Sequence, residues 1–500
     1  MSKSFWLLLD PRIYAVSVSL LISVFTIVVP DSPNDDAYLY IRTAEIFLSD
    51  GFASAFQHFP WASYSLLIAS LSLLGFELFT AAYILNALFY GVLVYSFVSI
   101  VKQINPSRTV ILLACVCILV YPQLNEYRYL VIRDIGFWAF SMLALWQFLL
   151  YAENHSHRFA IAFSTALLLA ATFRAEALLY LVCTPIGLLF DSRFEKAVCR
   201  RNFVRLVGIL AAAVVATMAL FTVIGIDIYG LFLEFISVYQ PFVDSLLNSD
   251  AAGDSEMSRV LFGSHAAAYS QEYLGLFLAA GLFAILMANL FNGIGGAFLL
   301  VLLFGLYRRQ FKMPRSVVIP VALYLLVNIG ILFTFLFITR YLSSRYAMLF
   351  CLLLALMVPV ILAQLLTSGV DNRRRLMPLL LVFFSYCAID SYYSFGHSKS
   401  FVFDSVEWIE ENAESSASLL TNNHAIAYSS GMVENYDKIP RFLTETELLS
   451  TSTGDLIAIE MHFEMMQVLE NESLASSLEL LTSFSDEDDP GIAIYRRVEP

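Results

Sequence analysis

Runs of about twenty apolar residues follow one another through the first 394 residues of this 500-residue chain, and they constrain the fold more than any other feature. A helix of roughly 20 apolar residues spans the hydrocarbon of a bilayer, and a soluble core cannot bury so many in succession. With 59% hydrophobic and 14% charged residues and a mean hydropathy of +0.72, the chain reads as a polytopic membrane protein. The first run ends at Pro30 without a small-residue cleavage site, so an uncleaved first span with a cytoplasmic N-terminus is expected.

Charge orients the remaining spans. Basic residues cluster at Lys3 and Arg12, at Lys102 and Arg108, at Arg158, from Arg193 to Arg205, from Arg308 to Arg315 and from Arg373 to Arg375. Placing all of them on the cytoplasmic side obeys the positive-inside rule and requires an odd number of crossings between the first outer loop and Lys102. Spans are then expected at about 13–30, 79–101, 109–123, 135–151, 159–173, 175–190, 206–226, 290–306, 317–338, 346–367 and 377–394, with the C-terminus outside. Segments 38–50 and 62–75 become juxtamembrane helices at the outer surface, and 273–288 is a similar apolar stretch. The Gly-rich MANLFNGIGGAF around Asn292 can bend one long helix or separate two.

Composition changes near residue 395. From Phe395 on there are 20 Asp and Glu against 5 Lys and Arg, a net of −15 that leaves +2 for the rest of the chain. This acidity argues against nucleic acid as a partner. Helical SVEWIEENAE, RFLTETELLS and FEMMQVLENESL alternate with strand-like SLLTNN, DLIAIEM and GIAIYRRV, which predicts a small α/β domain with a partly parallel sheet. The expected architecture is therefore an all-α membrane domain of about eleven spans over 1–394 and an acidic extracytoplasmic α/β domain over 395–500. The stretch VDSLLNSDAAGDSEMS reads as a polar outer loop. None of the six cysteines has CxxC spacing, so neither a metal motif nor a disulfide framework is indicated.

On this topology the outer face collects the unusual charges. Adjacent carboxylates Asp35 and Asp36 follow the first span, at a depth where unpaired charge is costly. Arg174 and Glu176 sit in a turn, TFRAE, too short to leave the bilayer surface, and could form either a structural ion pair or part of a site. Arg340 and Arg345, in ITRYLSSRYAML, hang over the start of a late span, with Arg345 the deeper. Snorkelling or local pairing is the better account of Arg42, Glu45, Arg128 and Arg133. Carboxylates and arginines on one membrane face suit a substrate with a lipid tail and an anionic headgroup: the carboxylate deprotonates an acceptor hydroxyl and the guanidinium forks hold phosphate.

These residues carry a resemblance. An acidic pair after the first span, AEIFLSDGF, PWASYSLLIASLSLLGFELFTAAYILNALF, RDIGFWAFSMLALWQFLLYAE, LLLAATFRAEALLYL and RYLSSRYAML together resemble the GT-C membrane glycosyltransferases. The nearest branch holds the protein O-mannosyltransferases and lipid A aminoarabinose transferases. The resemblance covers most of residues 1–370 and implies an inverting transfer of sugar from a polyprenyl-phosphate donor to a lipid, glycan or protein acceptor. It implies Asp35 as general base, Asp36 as its acidic neighbour, and Arg345, Arg340 and Arg174 as phosphate ligands. Some members hold one divalent cation, for which Glu126, Asp134 and His265 are the local candidates. It also implies a bacterial inner membrane, with the C-terminal domain in the periplasm. The chain departs from the aminoarabinose branch where FPW, with Pro60 and Trp61, replaces a Lys-Pro-Pro, which puts transfer to lipid A in doubt. A polytopic transporter, or a lipid-linked sugar flippase or polymerase, is the competing class; it predicts mid-membrane charges and repeated halves, and neither is evident.

Overall fold

The computed structural model describes residues 10–28, 32–227, 251–367, 370–393, 400–414, 417–471, 474, 476–485 and 491–499, with scattered residues between 229 and 244. Helix α1 (Pro11–Val28) opens with proline at its first position, where the missing N–H costs nothing, and Asp10 accepts from the Arg12 backbone N–H at 3.0 Å. Three short helices follow, α2 (Asp35–Asp50), α3 (Phe52–His58) and α4 (Ser63–Ser72), before the long α5 (Leu78–Ile104). Glu77 caps α5 by accepting from Thr80 N, and Ser107 caps α6 (Arg108–Leu119) by accepting from Val110 N. A 50° bend then leads into α7 (Pro122–Asn125) and a 3-10 turn at Glu126–Tyr129.

The next elements are α8 (Asp134–Asn154), α9 (His157–Phe173), α10 (Ala177–Cys183) with a 3-10 extension to Phe190, α11 (Lys196–Ile224) and α12 (Ala251–Ser270). They continue through α13 (Leu274–Ile294), α14 (Gly296–Tyr307), α15 (Arg315–Thr339), α16 (Ser344–Ala355), α17 (Val358–Thr367) and α18 (Val370–Tyr392). Among the described residues six segments are long and apolar enough to cross a membrane, namely α5, α8, α11, α13, α15 and α16–α17 together. The bent α6–α7 pair would make a seventh, and the other expected spans fall on shorter apolar helices. One expectation shifts: 273–288 belongs to the 21-residue α13, because the break expected near Asn292 falls at Gly295, whose φ of 74° ends α13 and starts α14. The polar loop expected through 243–258 is in part helical, as α12, and 245–250 lie outside the described residues.

The core runs between α1, α5, α8 and α9, where Phe97, Trp138, Phe148 and Phe163 are fully buried. Arg128 is buried in it as a structural strut, donating to Asn125 Oδ1 (2.8 Å), Ser23 Oγ (2.7 Å) and Ser19 Oγ (2.9 Å) and lying 3.9 Å over the Tyr90 ring.

The C-terminal segment carries α19 (Ser400–Asn412), β1 (Leu419–Thr421), α20 (His424–Ser429), α21 (Glu445–Ser450), β2 (Leu456–Glu460), α22 (Phe463–Leu469), β3 (Leu478–Phe484) and β4 (Ile492–Arg497). Its sheet has the order β1-β2-β4-β3, with β1 parallel to β2 and the other pairs antiparallel. The strand β3 escaped sequence reading because it is an edge strand with little burial and no clear alternation. The expected boundary at 394/395 falls on a stretch outside the described residues. Tyr38 of α2 is built into the core of this segment, 5.7 Å from the Tyr428 ring and stacked on His424 at 5.9 Å. Tyr436 donates to Glu45 at 2.7 Å, and His58 Nε2 lies 3.0 Å from Asp437.

Candidate active site

The start of α2 is fixed from outside. Asn34 donates to the Val131 carbonyl (3.3 Å) and accepts from the Val131 N–H (2.8 Å), tying α2 to the loop before α8. Asn86 of α5 holds the same loop, donating to the Leu130 carbonyl at 2.9 Å while accepting from the Tyr64 hydroxyl at 2.8 Å. Asp36 of α2 thereby comes to share the surroundings of Tyr40 with Arg133 and Asp134, which lie about a hundred residues away in sequence. Asp35 and Asp36 both occupy the first turn of α2, where the helix dipole favours negative charge.

The contact that sequence could not supply is between Asp36 and Arg345, 309 residues apart. Arg345 Nη1 donates to Asp36 Oδ2 at 2.5 Å. Asp35 next to it is exposed, and among the described residues its carboxylate makes no hydrogen bond or ion pair. The two acids thus differ physically: one is committed to a guanidinium, the other is free to accept a proton.

Arg174, expected as a phosphate ligand, is occupied otherwise. It donates to Asp134 Oδ1 at 2.5 Å and to Glu176 Oε1 at 2.8 Å, so two carboxylates compensate its charge. Arg174 also lies 4.4 Å over the Tyr346 ring, whose other neighbour is the Arg345 guanidinium at 5.2 Å. Arg174 therefore braces Tyr346, and through it the start of α16.

Arg340 caps α15 in the left-handed conformation (φ 57°), is exposed, and is not joined to the cluster by any ion pair among the described residues. Arg133 was undervalued in sequence. It lies 4.6 Å over Trp61 and 5.6 Å over Phe59, and its Nη1 is buried without a hydrogen-bond partner, as is Nε of Arg345. Tyr40, buried in α2, feels Arg133, Asp36, Asp134 and Arg345 together; burial raises its phenol well above the ordinary value, so it stays a neutral hydroxyl.

The expected metal ligands do not assemble. Asp134 is engaged by Arg174, Glu126 faces a separate polar cavity, and His265 stands exposed on α12. Among the described residues no three His, Cys, Asp or Glu side chains come together in a group able to hold a metal ion.

An apolar cavity of about 610 Å³ opens beside the cluster, between α10 and α15, lined by Leu179, Leu326, Ile331, Phe335 and Glu176. A narrower cleft shares Glu176, Ile331 and Phe335 with it and reaches Arg174 and Tyr346.

This fold is shared, over nearly the whole of the chain, with solved structures from two organisms. ArnT from Cupriavidus metallidurans, solved with bound undecaprenyl phosphate, matches with a TM-score of 0.53 at 12% identity, over 99% of this chain and 98% of that one. An oligosaccharyltransferase from Archaeoglobus fulgidus, solved with zinc and sulfate, matches with a TM-score of 0.51 at 12% identity, over 97% of this chain and 73% of that one. No protein-family model matches the chain, and no curated protein matches it in sequence.

Proposed function

We propose that the protein is an inverting glycosyltransferase that moves a sugar from a polyprenyl-phosphate carrier to an acceptor on the outer face of the membrane. The observation that carries this reading is the uncommitted Asp35 carboxylate beside the Asp36–Arg345 pair, next to an apolar cavity large enough for part of a prenyl chain. ArnT, bound to undecaprenyl phosphate in its solved structure, supports the lipid carrier. Arg345 and Arg133, each with a buried unpartnered N–H, take the carrier phosphate, and Arg340 at the rim attracts it. Asp35 accepts the proton of the acceptor hydroxyl as that oxygen bonds to the anomeric carbon from the face opposite the phosphate. The carbon–oxygen bond to phosphate breaks, and its electron pair leaves with the polyprenyl phosphate. Because the leaving group is already an anion, guanidinium charge supplies the stabilisation and an acid is not required. Asp36 orients Arg345 until the phosphate displaces it.

For a divalent cation, Glu126, Asp134 and His265 do not form a ligand group among the described residues. We further read residues 1–394 as the transfer domain with eleven crossings, and 395–500 as an extracytoplasmic domain that handles the acceptor or braces α2, in a bacterial inner membrane. The test is consumption of a panel of synthetic undecaprenyl-phosphate sugars by the purified protein in proteoliposomes containing total envelope lipid. Release of undecaprenyl phosphate with one of them is expected; the reading fails if none is consumed and undecaprenyl phosphate does not bind.

A further inference from the structure

A second cavity, of about 320 Å³, is bordered by Ser344, the residue before Arg345, and its character is different from that of the apolar one. It sits where two helices break together: at the 50° bend between α6 and α7 and at Gly295 between α13 and α14. Backbone unwound within a membrane protein is tolerated where it lines a polar cavity. Gln123, Glu126, Tyr127, Asn292 and Ser344 face this one, and no basic residue lines it.

Its polar groups are largely unspent. Gln123 Oε1 is buried without a partner, and a Cβ at Gly295 would fall 1.9 Å from that oxygen, so the glycine is what admits the amide. Glu126 and Asn292 make no side-chain hydrogen bond among the described residues. Tyr127 and Ser344 share one hydrogen bond at 3.0 Å, which joins the cavity wall to the residue preceding Arg345. At Gly296 the cavity meets an apolar groove of about 600 Å³ between α14 and α18, lined by Leu300, Phe304, Leu379, Val382 and Phe383.

We propose that this cavity and groove together hold the acceptor, and that the acceptor is a lipid whose headgroup is rich in hydroxyls and free of phosphate, such as a neutral glycolipid. Amide, carboxylate and hydroxyl groups at the edge of an aromatic ring recognise a polyol, and an acyl chain follows into the groove. The cavity carries the Glu126 carboxyl and, among the described residues, no cation in its lining, so it offers nothing to hold an anionic headgroup. The donor and acceptor lipids then enter by separate cavities and meet at Asp35. This rests on the proposed transfer site, since the acceptor hydroxyl is taken to be the one that Asp35 deprotonates.

The test uses the full chain in phosphatidylcholine nanodiscs, with photoactivatable monoglucosyl-diacylglycerol, phosphatidylglycerol of the same chains, and undecaprenyl phosphate as separate probes. The glucolipid is expected to label α14 and α18 about tenfold above phosphatidylglycerol, and Gln123→Ala with Asn292→Ala to remove about tenfold of that labelling, one to two hydrogen bonds being lost. Undecaprenyl phosphate labelling should be unchanged in that variant. Leu379→Trp, at a lipid-exposed position where the fold is not at risk, should block the glucolipid alone. Equal labelling by the glucolipid and phosphatidylglycerol, or glucolipid labelling unaffected by these variants, overturns the proposal. Failure of undecaprenyl phosphate to bind, with glucolipid labelling intact, instead overturns the transfer reading and leaves this site standing.

Discussion

If the carrier phosphate displaces Asp36 from Arg345, neutralising the two halves of that ion pair must change phosphate affinity in opposite directions. The pair is short, 2.5 Å, with the side chains 25% and 42% exposed. Two unit charges about 4 Å apart at an effective dielectric of about 20 attract by roughly 4 kcal/mol. Solvent around the more exposed partner screens most of this, leaving about 1 kcal/mol. In Asp36→Asn that competition disappears, so undecaprenyl phosphate should bind about fivefold tighter. Arg345→Gln removes charge-assisted hydrogen bonds worth about 1.5–3 kcal/mol, so binding should weaken about tenfold to a hundredfold. Both affinities can be read by titrating undecaprenyl phosphate into the purified protein in micelles, with circular dichroism confirming that each variant is folded. Weakening in Asp36→Asn comparable to that in Arg345→Gln would refute the displacement and make Asp36 a direct partner of the ligand.

The remaining predictions concern the scaffold. Arg174→Gln strands Asp134 and Glu176 as buried acids without their cation, so it should cost about 3–5 kcal/mol and lower Tm markedly in a detergent melt, whatever its effect on binding. Burial outweighs the attraction of Asp437 and holds the His58 imidazole below its ordinary value. The folded state therefore resists its protonation: this contribution to stability is full above about pH 6.5 and is lost as pH falls through the lower folded value. His58→Gln should flatten that part of the Tm–pH profile, and an unchanged profile would show that another group sets it. Tyr38→Ala removes an aromatic side chain that is 2% exposed where α2 meets the C-terminal segment. It should cost about 3–5 kcal/mol and expose that segment to limited proteolysis.

Much of this molecule is legible in its sequence because membrane helices announce themselves by hydropathy and short range. Most of the apolar runs coincide with helices, although α11 begins ten residues before the expected 206 and the run expected over 290–306 is divided at Gly295. The strands β1, β2 and β4 were readable because they are buried apolar runs bounded by polar residues. What was not legible depends on packing over long separations. The choice of Arg345 over Arg340 as the partner of Asp36 is made by the turn between α15 and α16, and 309 residues separate the pair. Arg174 looked like a phosphate ligand until Asp134, 40 residues upstream, was seen to share it with Glu176. Arg133 stood among the outer-face charges that snorkelling or local pairing would explain, and only the fold reveals that its Nη1 is buried and unpaired. The polar cavity at Gly295 was half visible in MANLFNGIGGAF, which marked a break but not the Gln123 amide that fills the space beside it.

The central claim is that Asp35 takes the acceptor proton, and it is tested most directly by sugar transfer from an undecaprenyl-phosphate donor in proteoliposomes, comparing wild type with Asp35→Asn. Loss of the general base should lower the rate by at least about a hundredfold while undecaprenyl phosphate still binds and Tm is unchanged. Full transfer by folded Asp35→Asn would contradict it.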